Sequence, residues 1–181
     1  MRGKPQIKSM RPITRPDSTE YAQYFDKYIS LVPEGEIVVT LSKQIEGTLS
    51  LIRGLSKDQG DLRYAPGKWS VKEVIGHLID TERIFAYRAL RFARNDATPL
   101  SGFDENSYVD NAGFGSRSLA DLAEEFEYTR KSNVYLFKHL DCDSWLRRGP
   151  ANDNEISARA LAYCIAGHEL HHVGILRSRY L

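Results

Sequence analysis

Long apolar runs are missing from this chain: nowhere do about 18 consecutive apolar residues occur, which excludes an obvious transmembrane helix. Cysteine is almost missing too, and the two present, Cys142 and Cys164, have no secretory context, so a disulfide framework has no support. The basic stretch at the N-terminus is not followed by an apolar core of roughly 7 to 15 residues, so it does not read as a signal peptide, and a cytoplasmic protein is expected. Charge of one sign is lacking as well. Lys and Arg number 25 against 24 Asp and Glu, a formal net charge of +1, which implies no polyanion-binding field and disfavours nucleic acid as a partner. Glycine and proline are sparse and β-type alternation is absent, so no segment makes a convincing strand.

What is there is an ordinary globular composition, 41% apolar and 27% charged over 181 residues, enough for one domain. Residues 1–16 carry Arg2, Lys4, Lys8, Arg11 and Arg15 with no acid and read as a flexible basic tail, leaving 17–181 as the domain. Tyr21, Tyr24, Phe25 and Tyr28 recur at helical spacing and predict a short helix over Thr19 to Leu31, interrupted by Pro33 and Gly35. Leu41, Ile45, Leu49 and Ile52 form one stripe on a helix from about Glu36 to Gly54.

The third helix has the best-marked start: Ser70 and Glu73 form a capping box, with Trp69 and Val74 placed to close as a hydrophobic staple. Its apolar face runs through Val74, Leu78, Phe85 and Phe92 to about Arg94. Between Asn95 and Arg117 turn-forming residues predict a long loop, a feature more often functional than idle. Ser118 and Asp121 open a fourth helix marked by Leu119, Leu122, Phe126, Val134 and Phe137, ending near Asp141. After a loop at Gly149 and Pro150, Ser157 caps a last helix that runs to the C-terminus. The fold class expected is therefore all-α, a four-helix bundle with an extra short N-terminal helix.

Three of the five histidines lie in the stretch from Gly167 to His172. At about 100° per residue His168 and His172 project within roughly 40° of one another, one turn apart, so both imidazoles can reach one ion. They share a face with Leu161, Ile165 and Leu176 and should look into the bundle. Spacing alone leaves two readings open, a metal site or a hydrogen-bonded pair of core histidines. His77, on the apolar side of the third helix among Val74, Leu78, Thr81 and Ile84, supplies a third ligand when read with the pair. Three neutral imidazoles leave further positions for water or substrate, the pattern of a catalytic site. Glu169 is the nearest candidate base. Glu73 and Asp80 flank His77 and fit two roles each: acceptors for an imidazole N–H, or a cap completed by Glu73 and an ion pair of Asp80 with Arg83. His139 reads as solvent-facing or as a C-terminal cap, and Cys164 as a small buried hydrophobe.

His168 to His172 also spells the H-E-x-x-H signature of zinc proteases. Residues 173–181 hold no His, Asp or Glu to complete such a site, and Ile175 and Ser178 stand where the extended pattern needs glycine and histidine. The match is a coincidence of spelling.

The run from Gly67 to Asp80, with a tryptophan before the helix and His77 early in it, together with Ile165 to His172, closely resembles the DinB superfamily over about residues 35–181. The resemblance implies a four-helix bundle, often a homodimer, with nickel or zinc bound by the histidines matching His77, His168 and His172. It also implies an enzyme acting on a small molecule, either a transferase using a low-molecular-weight thiol or a metal-dependent hydrolase. A non-catalytic metal- or ligand-binding bundle with a stress-related role is the alternative, since one scaffold hosts many functions.

Overall fold

A computed structural model describes residues 13–181, so most of the basic N-terminal stretch lies outside the described residues. The long helices are α2 (Ile37–Arg53), α4 (Val71–Ala93), α6 (Leu119–Lys138) and α8 (Ala158–Ile175), and the short ones are α1 (Asp26–Ile29), α3 (Lys57–Asp61), α5 (Glu105–Ala112) and α7 (Cys142–Leu146). The four long helices form the expected bundle: α2 packs on α6, α6 on α4, α4 on α8, and α8 closes the ring on α2. None is long and apolar enough to cross a membrane.

Three of the long helices are set by a serine cap as well as by an apolar stripe, and α2 by its stripe. Ser70 Oγ accepts from the Glu73 N–H while the Glu73 carboxylate accepts from the Ser70 N–H at 2.7 Å, so the predicted capping box forms. Ser118 and Ser157 cap α6 and α8 in the same way through their hydroxyls. On α2 the stripe Ile37, Leu41, Ile45, Leu49 and Ile52 is buried, as expected, and Thr48 is buried with it.

The N-terminal helix is shorter than its aromatic spacing predicts. Two 3₁₀ turns, Ser18–Glu20 and Gln23–Phe25, precede the four residues of α1, and Tyr21 between them is extended. The cause is tertiary: the Glu20 carboxylate is buried against Ser157 and Arg159 at the start of α8, which drags the chain out of helical register. Arg15 donates to the carbonyls of Ile29 (2.5 Å) and Val32 (2.6 Å), closing the end of α1 against the preceding segment.

The expectation of no strand is also corrected. β1 (Arg148–Ala151) pairs antiparallel with β2 (Asn154–Ser157) around Asn152 and Asp153. Both turn residues have positive φ, 52° and 60°, the backbone that a tight two-residue hairpin requires and that Asn and Asp tolerate. Gly149 and Pro150 disguise the strand as loop. Leu100 adds a backbone bridge to Ala151, donating to Pro150 O and accepting from Asn152 N–H. This ties the segment after α4 to the hairpin. That segment is not all loop either, because Asp104 caps α5 within it and Gly113, at φ +67°, ends the helix.

One close approach positions the site. At Gly167 on α8 a methyl group would stand 2.0 Å from the backbone oxygen of Tyr28, so α1 rests directly on the α8 backbone one residue before His168. Gly167→Ala is expected to push α1 away and cost about 1–3 kcal/mol of stability by overpacking, read as a lowered urea midpoint.

Candidate metal centre

His77 stands in the second turn of α4, and His168 and His172 stand one turn apart on α8, which packs directly against it. Their ligand-capable nitrogens all lie within 4.8 Å of one another. His77 Nε2 is 3.0 Å from His168 Nε2, and the ring centroids of the three imidazoles are separated by 4.5 to 5.0 Å. His77 and His168 are each 5% exposed, so two rings meet almost out of contact with bulk water. Among the described residues this is the group of three or more potential metal ligands that converges.

The surroundings fix each ring. Trp69, the residue before the Ser70 cap, lays its indole 4.7 Å from the His77 ring. Thr81 Oγ1, one turn beyond His77, lies 3.4 Å from its Nδ1 and so leaves Nε2 aimed at α8. Tyr28 of α1 meets both His168 and His171 edge-on. His171 points to the side, half-buried, and is outside the group of three.

Burial sets the charge state. It pushes His77 down to about 4, and burial together with neighbouring imidazoles and Lys27 pushes His172 down to about 3 and His168 well below its ordinary value. All three are neutral donors at pH 7, the form a metal requires. In metal-free protein the sign follows: between pH 6.5 and about 4 the unfolded chain binds protons that the folded site refuses. Stability is fully present above about 6.5 and is lost as pH falls, by roughly 3 kcal/mol for His77 alone. Denaturant titrations of chelator-treated protein at pH 7 and pH 5 check this, with a smaller drop expected in His77→Ala.

The rings form the wall of a cavity of about 530 Å³ whose other residues include Tyr28, Trp69, Phe85, Arg88, Phe103 and Asn152. The Leu100 bridge and the hairpin turn thus close one side of the site, and residues of the expected 95–117 loop do line it.

Glu169 does not sit in this cavity. Its carboxylate turns to the far side of α8, where it accepts from Thr48 Oγ1 (2.5 Å) and Gln44 Nε2 (2.6 Å) and pairs with Arg130 at 2.8 Å. The expected catalytic base is therefore corrected to a buried structural anion. On a helix, consecutive residues diverge by about 100°, so a neighbour of His168 cannot share its direction. Glu73 completes the cap and pairs with Arg63, and Asp80 pairs with Arg83, so neither reaches an imidazole. His139 is the exposed C-cap residue of α6, and Cys164 is fully buried with its thiol pushed up by burial. Arg88 and Arg130 went unnoticed in the sequence, and Thr81, named there only as a neighbour on the apolar side of the third helix, was not seen as a partner of the His77 ring. Thr81 was detectable at i+4 from His77, and Arg130 as an arginine in the apolar row Leu122, Phe126, Val134.

With this geometry in place, comparison with known proteins gives one family: the DinB superfamily model matches residues 40–176. The chain belongs to the DinB superfamily. The DinB fold is also seen in two solved structures. YfiT from Bacillus subtilis, described as a probable metal-dependent hydrolase with an unusual four-helix bundle topology, aligns with a TM-score of 0.68 at 16% identity, over 90% of this chain and 91% of that one. A DinB-like protein, YjoA, also from Bacillus subtilis, aligns with a TM-score of 0.58 at 20% identity, over 79% and 87% of the two chains. At these identities the likeness concerns the fold. None of the curated proteins matches the chain.

Proposed function

We propose that this DinB-superfamily protein is a divalent-metal-dependent enzyme acting on a small molecule, with His77, His168 and His172 as ligands to nickel or zinc. The observation that carries the reading is the convergence of three neutral imidazoles from two helices, two of them buried and His172 half-buried, on the wall of a cavity. The residues fit an ion. The ligand-capable nitrogens all lie within 4.8 Å of one another, with 3.0 Å between His77 Nε2 and His168 Nε2, near the separation of about 3.3 Å that zinc–nitrogen bonds of about 2.0–2.1 Å would ask for. A purely hydrogen-bonded cluster pairs His77 with His168 and Thr81 but gives His172 no hydrogen bond to another described residue, although its ring meets the other two edge-on.

A bound divalent ion supplies Lewis acidity that deprotonates water or a thiol near neutral pH. The chain's own residues supply the rest. Thr81 and Trp69 fix the His77 ring, Tyr28 braces His168, and Phe85 and Phe103 give the cavity apolar walls that exclude water from the reacting groups. A hydrolase and a transferase consuming a low-molecular-weight thiol both fit. YfiT, similar in fold and described as a probable metal-dependent hydrolase, favours the first. A homodimer, through the family resemblance, and a cytoplasmic location are part of this reading. The alternative, a non-catalytic metal- or ligand-binding bundle, predicts a metal-dependent melting temperature with no turnover.

Incubating metal-loaded protein with ester and electrophile panels, with and without cellular thiols, tests the proposal. Chelator-sensitive turnover is expected, and stoichiometric thiol loss would mark the transferase. A protein that binds metal and turns over nothing in either panel would move the reading to the non-catalytic alternative.

A further inference from the structure

Arg88 is the feature of this cavity that the bundle does not explain. It lies on α4 eleven residues after His77, so it projects within roughly 20° of the same direction three turns on, about 16 Å along the axis. Side chains on a helix lean toward its N-terminus, which brings the guanidinium back toward the imidazoles. The residue is only 6% exposed and lines the cavity. A guanidinium carries five N–H donors. Arg88 uses its NH2 group on one partner, the backbone carbonyl of Ser101 at 2.8 Å, and among the described residues has no carboxylate against it.

The contrast with the other deeply buried arginine is direct. Arg130, 1% exposed, holds two carboxylates and a backbone carbonyl. Arg88 is left with spare donors where a buried cation is costly unless paired. Burial pulls its affinity for the proton down with no acid opposing it. The cavity wall as a whole is cationic. Its charged residues are Lys27, Arg88 and one acid, the exposed Glu105 at the start of α5, which makes no ion pair among the described residues. Lys27 lies over the Tyr24 and Tyr28 rings, 3.9 and 4.7 Å from their centroids.

We infer that Arg88 is a specificity residue that takes the carboxylate, or an anion of similar shape, of a small organic substrate whose reacting group lies at the three imidazoles. This deepens the enzyme reading and rests on it. A cavity of about 530 Å³ suits a molecule with an acid at one end and a reactive group at the other. Planar, forked donation to a carboxylate is the interaction at which arginine outperforms lysine. Pinning the Ser101 carbonyl alone would need a single donor.

Metal-free, full-length protein titrated with benzoate and with benzamide, read through the emission of Trp69 on the cavity wall, tests the inference, and chelation keeps the carboxylate from binding an ion instead. Wild type is expected to prefer benzoate by about tenfold or more. The preference should fall below about twofold in Arg88→Met and to an intermediate value in Arg88→Lys, which keeps the charge and a donor for Ser101. A wild type that binds both probes equally overturns the inference with no variant needed, and so does an Arg88→Met protein of native near-ultraviolet dichroism that keeps the preference. Zinc titration of the same samples separates the two readings. Zinc bound without anion preference removes Arg88 alone, and anion preference without zinc binding removes the metal assignment alone.

Discussion

His77→Ala protein, purified without an affinity tag, is expected to carry less than about a tenth of the nickel or zinc found in wild type, which should hold about one ion per chain. His168 and His172 sit one turn apart on a single helix and supply two donors, and His77 is the one ligand that reaches across from α4. Without it the two remaining imidazoles form a site open on one side, with no donor to complete three protein ligands. A second measurement follows by linkage. Added zinc should raise the melting temperature of wild type in proportion to the logarithm of its concentration and leave that of the variant nearly unchanged. Elemental analysis showing equal metal in the two proteins would mean that the ion, if any, is held elsewhere, and the reading of the three imidazoles would fall.

Arg130→Met is the second large effect, expected to destabilise the protein by about 3–5 kcal/mol, measured by urea denaturation at pH 7. Arg130 on α6 is bidentate to Glu82 of α4, with both bonds at 2.8 Å, pairs with Glu169 of α8 at 2.8 Å, and donates to Leu41 O of α2. All four long helices meet at one guanidinium. Burial by itself would lower its affinity for the proton, but Glu82 and Glu169 outweigh that and raise it, so the cation is fixed. Burial pushes Glu169 up against the pull of Arg130 and Thr48. Removing the cation therefore strands two carboxylates, each less than 4% exposed, in a medium where an unpaired charge is costly. Adding Glu82→Gln and Glu169→Gln to the variant should restore much of the loss. Full stability in Arg130→Met would show that both carboxyls take up protons without penalty.

The same network explains why Glu169 serves the site from behind. It joins α8 to α2 and α6 one residue after His168, fixing the helix whose other face presents the imidazoles. Glu169→Gln should accordingly lower stability while leaving the pH profile of any metal-dependent turnover in place.

Some of this was legible in the sequence and some was not. The starts of α4, α6 and α8 were written in Ser70, Ser118 and Ser157, because a cap is made within three residues of chain. The apolar stripes and the shared direction of His168 and His172 follow from helical geometry in the same local way. The hairpin was hidden because Gly149 and Pro150 argue for loop, while the bridge to Leu100 that supports it lies far away in sequence. The shortened N-terminal helix had its cause at Ser157 and Arg159, again out of local reach.

The chain by itself thus determined the four long helices, their faces and the three candidate ligands, since periodicity and capping depend on neighbours a few residues apart. Only the packing of the four long helices on one another decided that the imidazoles come within a few ångströms, that Glu169 turns to Arg130, and that Arg88 keeps free donors beside a cavity. Those outcomes are pairings between distant residues, and no local pattern in the chain states which buried charge finds a partner and which is left open.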